Sequence, residues 1–178
     1  MKKLSLDSLN RLTVEDYREA KKFPLVVILD NIRSMNNVGA FFRTCDAFRI
    51  EKLFLCGYTP LPPHREITKS ALGAENAVDW EHAERTQDLV AQLKQEGYQV
   101  LAIEQAEKST PLHQFQWTGE DRLAIVFGNE VSGVDDDVME LADGCLEIPQ
   151  YGTKHSLNVS VTGGIVLWQL VSGNLMKR

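Results

Sequence analysis

Apolar runs of strand length recur along the chain, and segments with helical spacing lie between them. Leu25-Val-Val-Ile-Leu29, Lys52-Leu-Phe-Leu-Cys56, Tyr98-Gln-Val-Leu-Ala-Ile103, Arg122-Leu-Ala-Ile-Val-Phe127 and Gly144 to Ile148 read as strands. Unbroken apolar runs of this length are expected of parallel strands covered on both faces. Val38, Phe41, Phe42, Cys45 and Phe48 fall at the spacing of a helix over residues 38–48. A loop rich in proline (Pro60, Pro62, Pro63) leads to a short helix near Glu66–Leu72. Residues 77–80 read as a minor strand, 85–96 as a helix closed by Gly97, and 135–141 as a short helix. Strands alternate with helices throughout, which predicts an α/β fold with a mostly parallel sheet flanked on both sides.

Two segments lie outside this alternation. Residues 4–22 carry Leu6, Leu9, Leu12 and Tyr17 as a stripe, with Thr13 and Asp16 spaced like a capping box, so two short helices are expected to meet there. Six Lys or Arg side chains (Lys2, Lys3, Arg11, Arg18, Lys21, Lys22) oppose four acids in this extension. That pattern suits a solvated face or an RNA-contacting arm. Near the other end, strand tail Leu146–Ile148 stops at Pro149 and enters a loop with Gly152, Lys154 and His155. Ser156-Leu157-Asn158 and an apolar run to Leu170 follow. A polar Ser/Asn pair between a loop and a buried segment reads as part of a site.

Composition narrows the class. At 178 residues the chain suits one domain with a sizeable core. Its 43% hydrophobic and 25% charged residues describe a soluble globule. No apolar run reaches the roughly 18 residues that span a bilayer, and the start has no signal-peptide pattern, so no membrane association and a cytoplasmic location are expected. Three widely spaced cysteines without CxxC, and four histidines without ligand spacing, argue for buried thiols and no metal site. The net charge of −6 disfavours a non-specific nucleic-acid binder, although a local basic face remains compatible with it.

Three constellations carry candidate chemistry. The first strand empties into Asp30-Asn31-Ile-Arg33-Ser-Met-Asn36-Asn37-Val-Gly39-Ala40-Phe-Phe-Arg43, at the strand end where such sheets bind ligands. Asn37 is read as the N-cap of the next helix. Gly39 and Ala40 are small and lie one turn back from Arg43, leaving its guanidinium clear for a phosphate or carboxylate. The same pair would equally serve close helix packing. In Phe127-Gly128-Asn129-Glu130-Val-Ser-Gly133-Val134, an apolar strand ends in a loop whose glycines allow close backbone approach to a ligand. Glu130 suits a site or a cap. No GxGxxG or GxxxxGK[ST] occurs, so neither dinucleotide nor P-loop binding is indicated. In the third stretch Ser156 is read as an N-cap. Gly163-Gly164 within a helix costs about 1 kcal/mol per glycine, which implies close backbone packing, within the chain or across a dimer.

Asn37-Val-Gly-Ala-Phe-Phe-Arg43, Phe127-Gly-Asn-Glu-Val-Ser-Gly-Val134 and Ile148-Pro149 with Ser156-Leu-Asn-Val-Ser160, in this order and spacing, resemble the three motifs of the SPOUT superfamily in its SpoU or TrmH-like branch. The resemblance runs from about Leu25 to the C-terminus. It implies a methyltransferase domain over residues 23–178 behind a short helical extension (1–22), a deep C-terminal trefoil knot and a homodimer. It also implies S-adenosylmethionine as cofactor and a ribose 2′-hydroxyl of tRNA or rRNA as substrate. By motif position, Gly128, Ile148 and Leu157 would hold the cofactor, with Glu104 and Gln105 as further candidates. Arg43 would act at the reacting oxygen, and Asn37, Glu130, Ser156 and Asn158 would orient the reactants.

An arginine, with a pKa above about 12, is a poor base. Arg43 therefore reads as a phosphate anchor and stabiliser of developing negative charge, with a base role as the other option. No extra RNA-binding domain is recognisable before residue 23, so Arg33, Lys69, Lys154 and His155 are the candidate RNA contacts. Two other functions share this reading: base methylation by a related knotted enzyme, and an RNA-binding or assembly factor without turnover.

Overall fold

Every residue from Leu25 to Leu29 is buried, because β1 (Phe23–Asp30) lies inside a sheet covered on both faces. The computed structural model describes residues 1, 3–5 and 7–174. In it, β1 is joined by β2 (Ile50–Cys56), β3 (Trp80–Ala83), β4 (Gln99–Ile103), β5 (Thr110–Pro111), β6 (Leu123–Phe127) and β7 (Gly144–Glu147). They form one seven-stranded sheet in the order β3-β2-β1-β6-β4-β7-β5. Every strand pair is parallel, so the expected α/β architecture stands.

Side-chain alternation divides the core between two layers. Leu25, Val27 and Leu29 pack with Phe41 and Phe42 of α2 (Met35–Phe48) and with Val166 and Leu167 of α6 (Val159–Ser172). Ile67 and Ala71 of α3 (Arg65–Ala71) join that layer. Val26 and Ile28 face the other way, against Leu89, Val90 and Leu93 of α4 (Thr86–Gln95) and Val138 of α5 (Asp136–Leu141). The chain order reverses between β1 and β6. Open α/β sheets hold their ligands at the strand carboxyl ends beside such a reversal.

Several expected boundaries move. α2 starts earlier than Val38, because Ser34 is its N-cap and its Oγ accepts from the Asn37 N–H at 3.3 Å. Asn37 is therefore inside the helix and not its cap. α6 is capped by Asn158 rather than Ser156: Asn158 Oδ1 accepts from the N–H groups of Ser160 and Val161 at 2.9 and 3.2 Å. In both cases the side chain nearest the first free helical N–H groups takes the role. The minor strand begins at Trp80, since Ala77 and Val78 are drawn into the core before the backbone reaches β2. β5, only two residues long, carries no pattern to find.

The N-terminal extension differs most. Thr13 caps α1 (Val14–Glu19) through a 3.1 Å bond from the Asp16 N–H, as its spacing predicts. Before it the described residues form one 3-10 turn, Asp7–Leu9, and no longer helix. Leu6 lies outside the described residues. Among the described residues of that stripe, Leu12 is exposed, Leu9 is half-buried and Tyr17 enters the core. Two extension cations are occupied by the protein: Arg18 donates to the Asn76 carbonyl at 2.7 Å, and Lys22 donates to the carbonyls of Tyr17 and Ala20.

Candidate functional site

The site is assembled from four chain segments that leave carboxyl ends of β1, β6, β4 and β7. At the end of β6 the backbone doubles back, with reciprocal Asn129–Gly133 hydrogen bonds of 2.9 and 3.0 Å. The Asn129 Oδ1 caps the turn from inside by accepting from the Val131 and Ser132 N–H groups. Both glycines are needed. A Cβ on Gly128 would lie 2.1 Å from the Val134 nitrogen, and Gly133 has φ +76° with the Glu104 carboxylate pressed against it.

This turn delivers Glu130 to the start of α2. Its Oε2 accepts from the Arg33 N–H at 2.8 Å, and its Oε1 from the Ser34 N–H at 3.0 Å and the Asn37 side-chain amide at 2.8 Å. Partial burial alone would raise its pKa. The N–H donors and the Asn37 amide outweigh that effect and hold the carboxyl below its ordinary value. Asn37 Oδ1 in turn accepts from the Asn158 amide at 3.1 Å. One chain of side chains thus joins the β6 turn, the start of α2 and the cap of α6.

Below Glu130 lies a cleft of about 520 Å³, within the range of roughly 300–1,000 Å³ typical of small-molecule sites. All five residues named from the sequence as cofactor contacts line it: Gly128, Ile148, Leu157, Glu104 and Gln105. Glu130, Ser156, Asn158 and His155 line it as well. Glu104 is held by the Val134 N–H at 3.3 Å and the Gln105 N–H at 2.9 Å. Gln105 Nε2 donates to the His155 carbonyl at 2.6 Å and so ties the loop after β7 to the end of β4. A shallower depression lies alongside, lined by Arg33, Ser34, Asn37, Glu130 and Asn158. Glu130 and Asn158 belong to both hollows and form the wall between them.

Not every candidate is brought here. Arg43 is exposed on α2, lines neither hollow, and makes no hydrogen bond or ion pair among the described residues. The small residue behind it serves packing: a Cβ on Gly39 would lie 2.0 Å from Ser70 Oγ and 2.5 Å from the Ile67 carbonyl oxygen of α3. Gly39 therefore does not clear a path for a ligand. Lys69 is exposed in the last turn of α3, and Lys154 is exposed in the loop after β7. Of the Gly163-Gly164 pair, only Gly163 makes a close approach, with its Cβ position 2.4 Å from the Phe41 ring; Gly164 faces open space. Among the described residues no cluster of His, Cys, Asp or Glu is placed to hold a metal.

A buried polar network beneath the site was not singled out from the sequence. Asp30 is fully buried and accepts from Thr86 Oγ1 at 2.6 Å, from Asn31 Nδ2 at 3.1 Å and from the Asp135 N–H at 3.1 Å. Burial raises its pKa, against the opposing effect of those bonds from Thr86 and Asp135. Asn129 reaches across to donate to the Asn31 carbonyl and to the Tyr58 hydroxyl. The one available signal was the polar pair Asp30-Asn31 at the end of an apolar strand.

Residues 24–168 match the family model of the SpoU rRNA Methylase family. The tRNA (guanosine(18)-2′-O)-methyltransferase of Aquifex aeolicus is 32% identical over 157 residues, covering 85% of this chain and 70% of that protein. The 23S rRNA (guanosine-2′-O-)-methyltransferase RlmB of Vibrio parahaemolyticus is 29% identical over 167 residues, 94% of this chain and 66% of that protein. The crystal structure of AdoMet-bound rRNA methyltransferase from Sinorhizobium meliloti superposes with a TM-score of 0.81 at 26% identity, covering 90% of this chain and 61% of that one. With four-fifths of its length matched by the family model, the chain belongs to the SpoU rRNA methylase family.

Proposed function

We propose that this protein is an RNA ribose 2′-O-methyltransferase that uses S-adenosylmethionine and acts on tRNA or rRNA in the cytoplasm. The observation that carries the reading is the shared wall of Glu130 and Asn158 between a cleft and a shallower depression. Such a wall sets a cofactor and a substrate side by side. The cleft suits this cofactor. Ile103, Phe127, Ile148 and Leu157 offer apolar surface to a nucleoside, and Glu104, Glu130 and Glu147 stand among the described lining residues with no Lys or Arg. That balance favours a cationic ligand.

When bound, S-adenosylmethionine supplies an electrophilic methyl group on a cationic sulfur. Asn37, Glu130 and Asn158 hold the wall rigid, so that a ribose 2′-oxygen is kept in near-attack geometry. As the O–CH3 bond forms, the S–CH3 bond would break to leave a neutral thioether, and the hydroxyl proton would pass to the RNA phosphate or to water. Arg43, without a hydrogen-bond or ion-pair partner among the described residues, takes an RNA phosphate and steadies negative charge growing on that oxygen. Ser156 orients the ribose, while Arg33, Lys69, Lys154 and His155 contact RNA.

Assembly completes the reading. Residues 23–178 are the methyltransferase domain, and the C-terminal third forms a deep trefoil knot whose segment from Ile148 to His155 wraps the cofactor. The Gln105–His155 tie supports this course for the loop. Val161, Ile165 and Trp168 stand exposed at helical spacing on α6, which supports a homodimer packed through that face.

The test is Arg43→Ala. We expect methyl transfer from labelled S-adenosylmethionine into RNA to be abolished while calorimetric cofactor binding persists. Near-wild-type transfer overturns the role of Arg43. A product still cleaved at the methylated linkage by alkali or nuclease overturns the ribose assignment.

A further inference from the structure

Tyr58 presents an aromatic ring to solvent from an unusually well-fastened turn. Tyr58 is 63% exposed, yet its hydroxyl accepts from Asn129 Nδ2 at 2.8 Å and its backbone N–H donates to Asn31 Oδ1 at 3.3 Å. The residues on either side are pinned as well. Gly57 has φ +60°, its Cβ position lies 2.0 Å from Asn31 Oδ1, and its N–H bonds to the Ala83 carbonyl at 2.9 Å. Thr59 is buried, with its Oγ1 donating to the Leu29 carbonyl at 3.1 Å and accepting from the Ile32 N–H at 3.0 Å. The amide of Asn129 that holds Tyr58 sits next to Glu130 in sequence, and Asn31 is two residues before Arg33. The same Asn129 side chain accepts from the N–H of Val131, a residue that is 79% exposed.

A ring recruited for packing would be buried, and a solvent-facing phenol needs no anchor because water satisfies its hydroxyl. What the anchoring does accomplish is to fix the ring's orientation before any ligand arrives, which lowers the ordering cost of binding. Two residues on from Asn31, which holds the Tyr58 N–H, is Arg33, exposed and lining the open depression. Single-stranded RNA is recognised by stacking unpaired bases on aromatic rings, with cationic side chains on the phosphates.

We propose that Tyr58 is a stacking platform for an unpaired nucleobase at or next to the nucleotide whose ribose reacts, so that the substrate site lies in a loop or single-stranded segment of RNA. This inference rests on the RNA methyltransferase reading above.

The experiment measures methyl transfer from tritiated S-adenosylmethionine into bulk tRNA and rRNA purified from a strain lacking the protein. Wild type, Tyr58→Ala and Tyr58→Phe are compared, with calorimetric cofactor affinity as the control for an intact fold. Tyr58→Ala is expected to raise KM for RNA by roughly 5- to 150-fold, the effect of losing one stacked base, with a smaller change in kcat. Tyr58→Phe keeps the ring and restores most of the affinity. An unchanged KM in Tyr58→Ala, or a loss in Tyr58→Phe as large as in Tyr58→Ala, overturns the platform; in the second case the hydroxyl serves only to clamp Asn129. A wild-type protein that transfers no methyl group overturns the underlying reading instead.

Discussion

The side-chain amide of Asn158 donates to Oδ1 of Asn37 across 3.1 Å, joining positions 121 residues apart. Because Asn158 Oδ1 is at the same time capping α6, and Asn37 Nδ2 is donating to Glu130, each amide is used at both ends. That double use fixes which way both amides face, since flipping either would set donor against donor. The first turns of α2 and α6 are thus locked to one carboxylate.

Removing that carboxylate should release the wall of the cleft. Glu130→Ala is expected to lower kcat for RNA methylation by about 10²-fold, the scale of a displaced reacting geometry. Cofactor affinity should fall less. Comparing single-turnover rates with calorimetric affinities separates the two effects.

Acidification acts through the same residue. The folded-state pKa of Glu130 is depressed, so its stabilising contribution is present above the ordinary glutamate pKa of about 4.3 and is lost as pH falls through the depressed value. Urea denaturation of wild type and Glu130→Gln should show the wild-type advantage at pH 7 shrinking toward pH 3. A constant difference across that range would contradict the assignment.

Asp30 carries the opposite sign. Its folded pKa is raised, so its contribution is complete below the ordinary aspartate pKa of about 3.9 and declines as pH rises through the raised value. Asp30→Asn places an amide donor against donors from Asn31 or Asp135, at a cost of about 1–3 kcal/mol. Denaturation midpoints should show that deficit largest in acid and smaller at neutral pH.

Gly163 supports the α2–α6 contact by having no side chain. Gly163→Ala would drive a Cβ to 2.4 Å from the Phe41 ring, which is buried and packed 4.9 Å from Phe127. We expect a loss of about 1–3 kcal/mol, the usual range for overpacking, measurable by urea or thermal unfolding.

The outward face of α6 gives the assembly prediction. Wild-type protein should sediment at about twice the chain mass, and Ile165→Glu with Trp168→Glu should sediment as a monomer, because both side chains are large, apolar and exposed on one stripe. A wild-type monomer at micromolar concentration would sink the dimer.

The chain's own pattern determined the sheet class, because Leu25–Leu29 and Leu123–Phe127 must be buried on both faces whatever surrounds them. It also placed Gly128 and Ile148 just past strand ends, and strand ends are local properties of a sequence. What only the tertiary structure decided was partnership. Asn37 and Ser156 both have the composition of helix caps, and nothing local distinguishes a cap from a residue one turn inside. Ser34 and Asn158 take those roles because their side chains lie nearest the free N–H groups, while the Asn37 amide is engaged by Glu130 and Asn158. The buried Asp30 network and the anchored ring of Tyr58 were equally hidden, since their bonds span tens of residues. Periodicity reports burial and backbone shape, which neighbouring residues settle; the direction of a side-chain hydrogen bond depends on which distant segment folding brings within 3 Å.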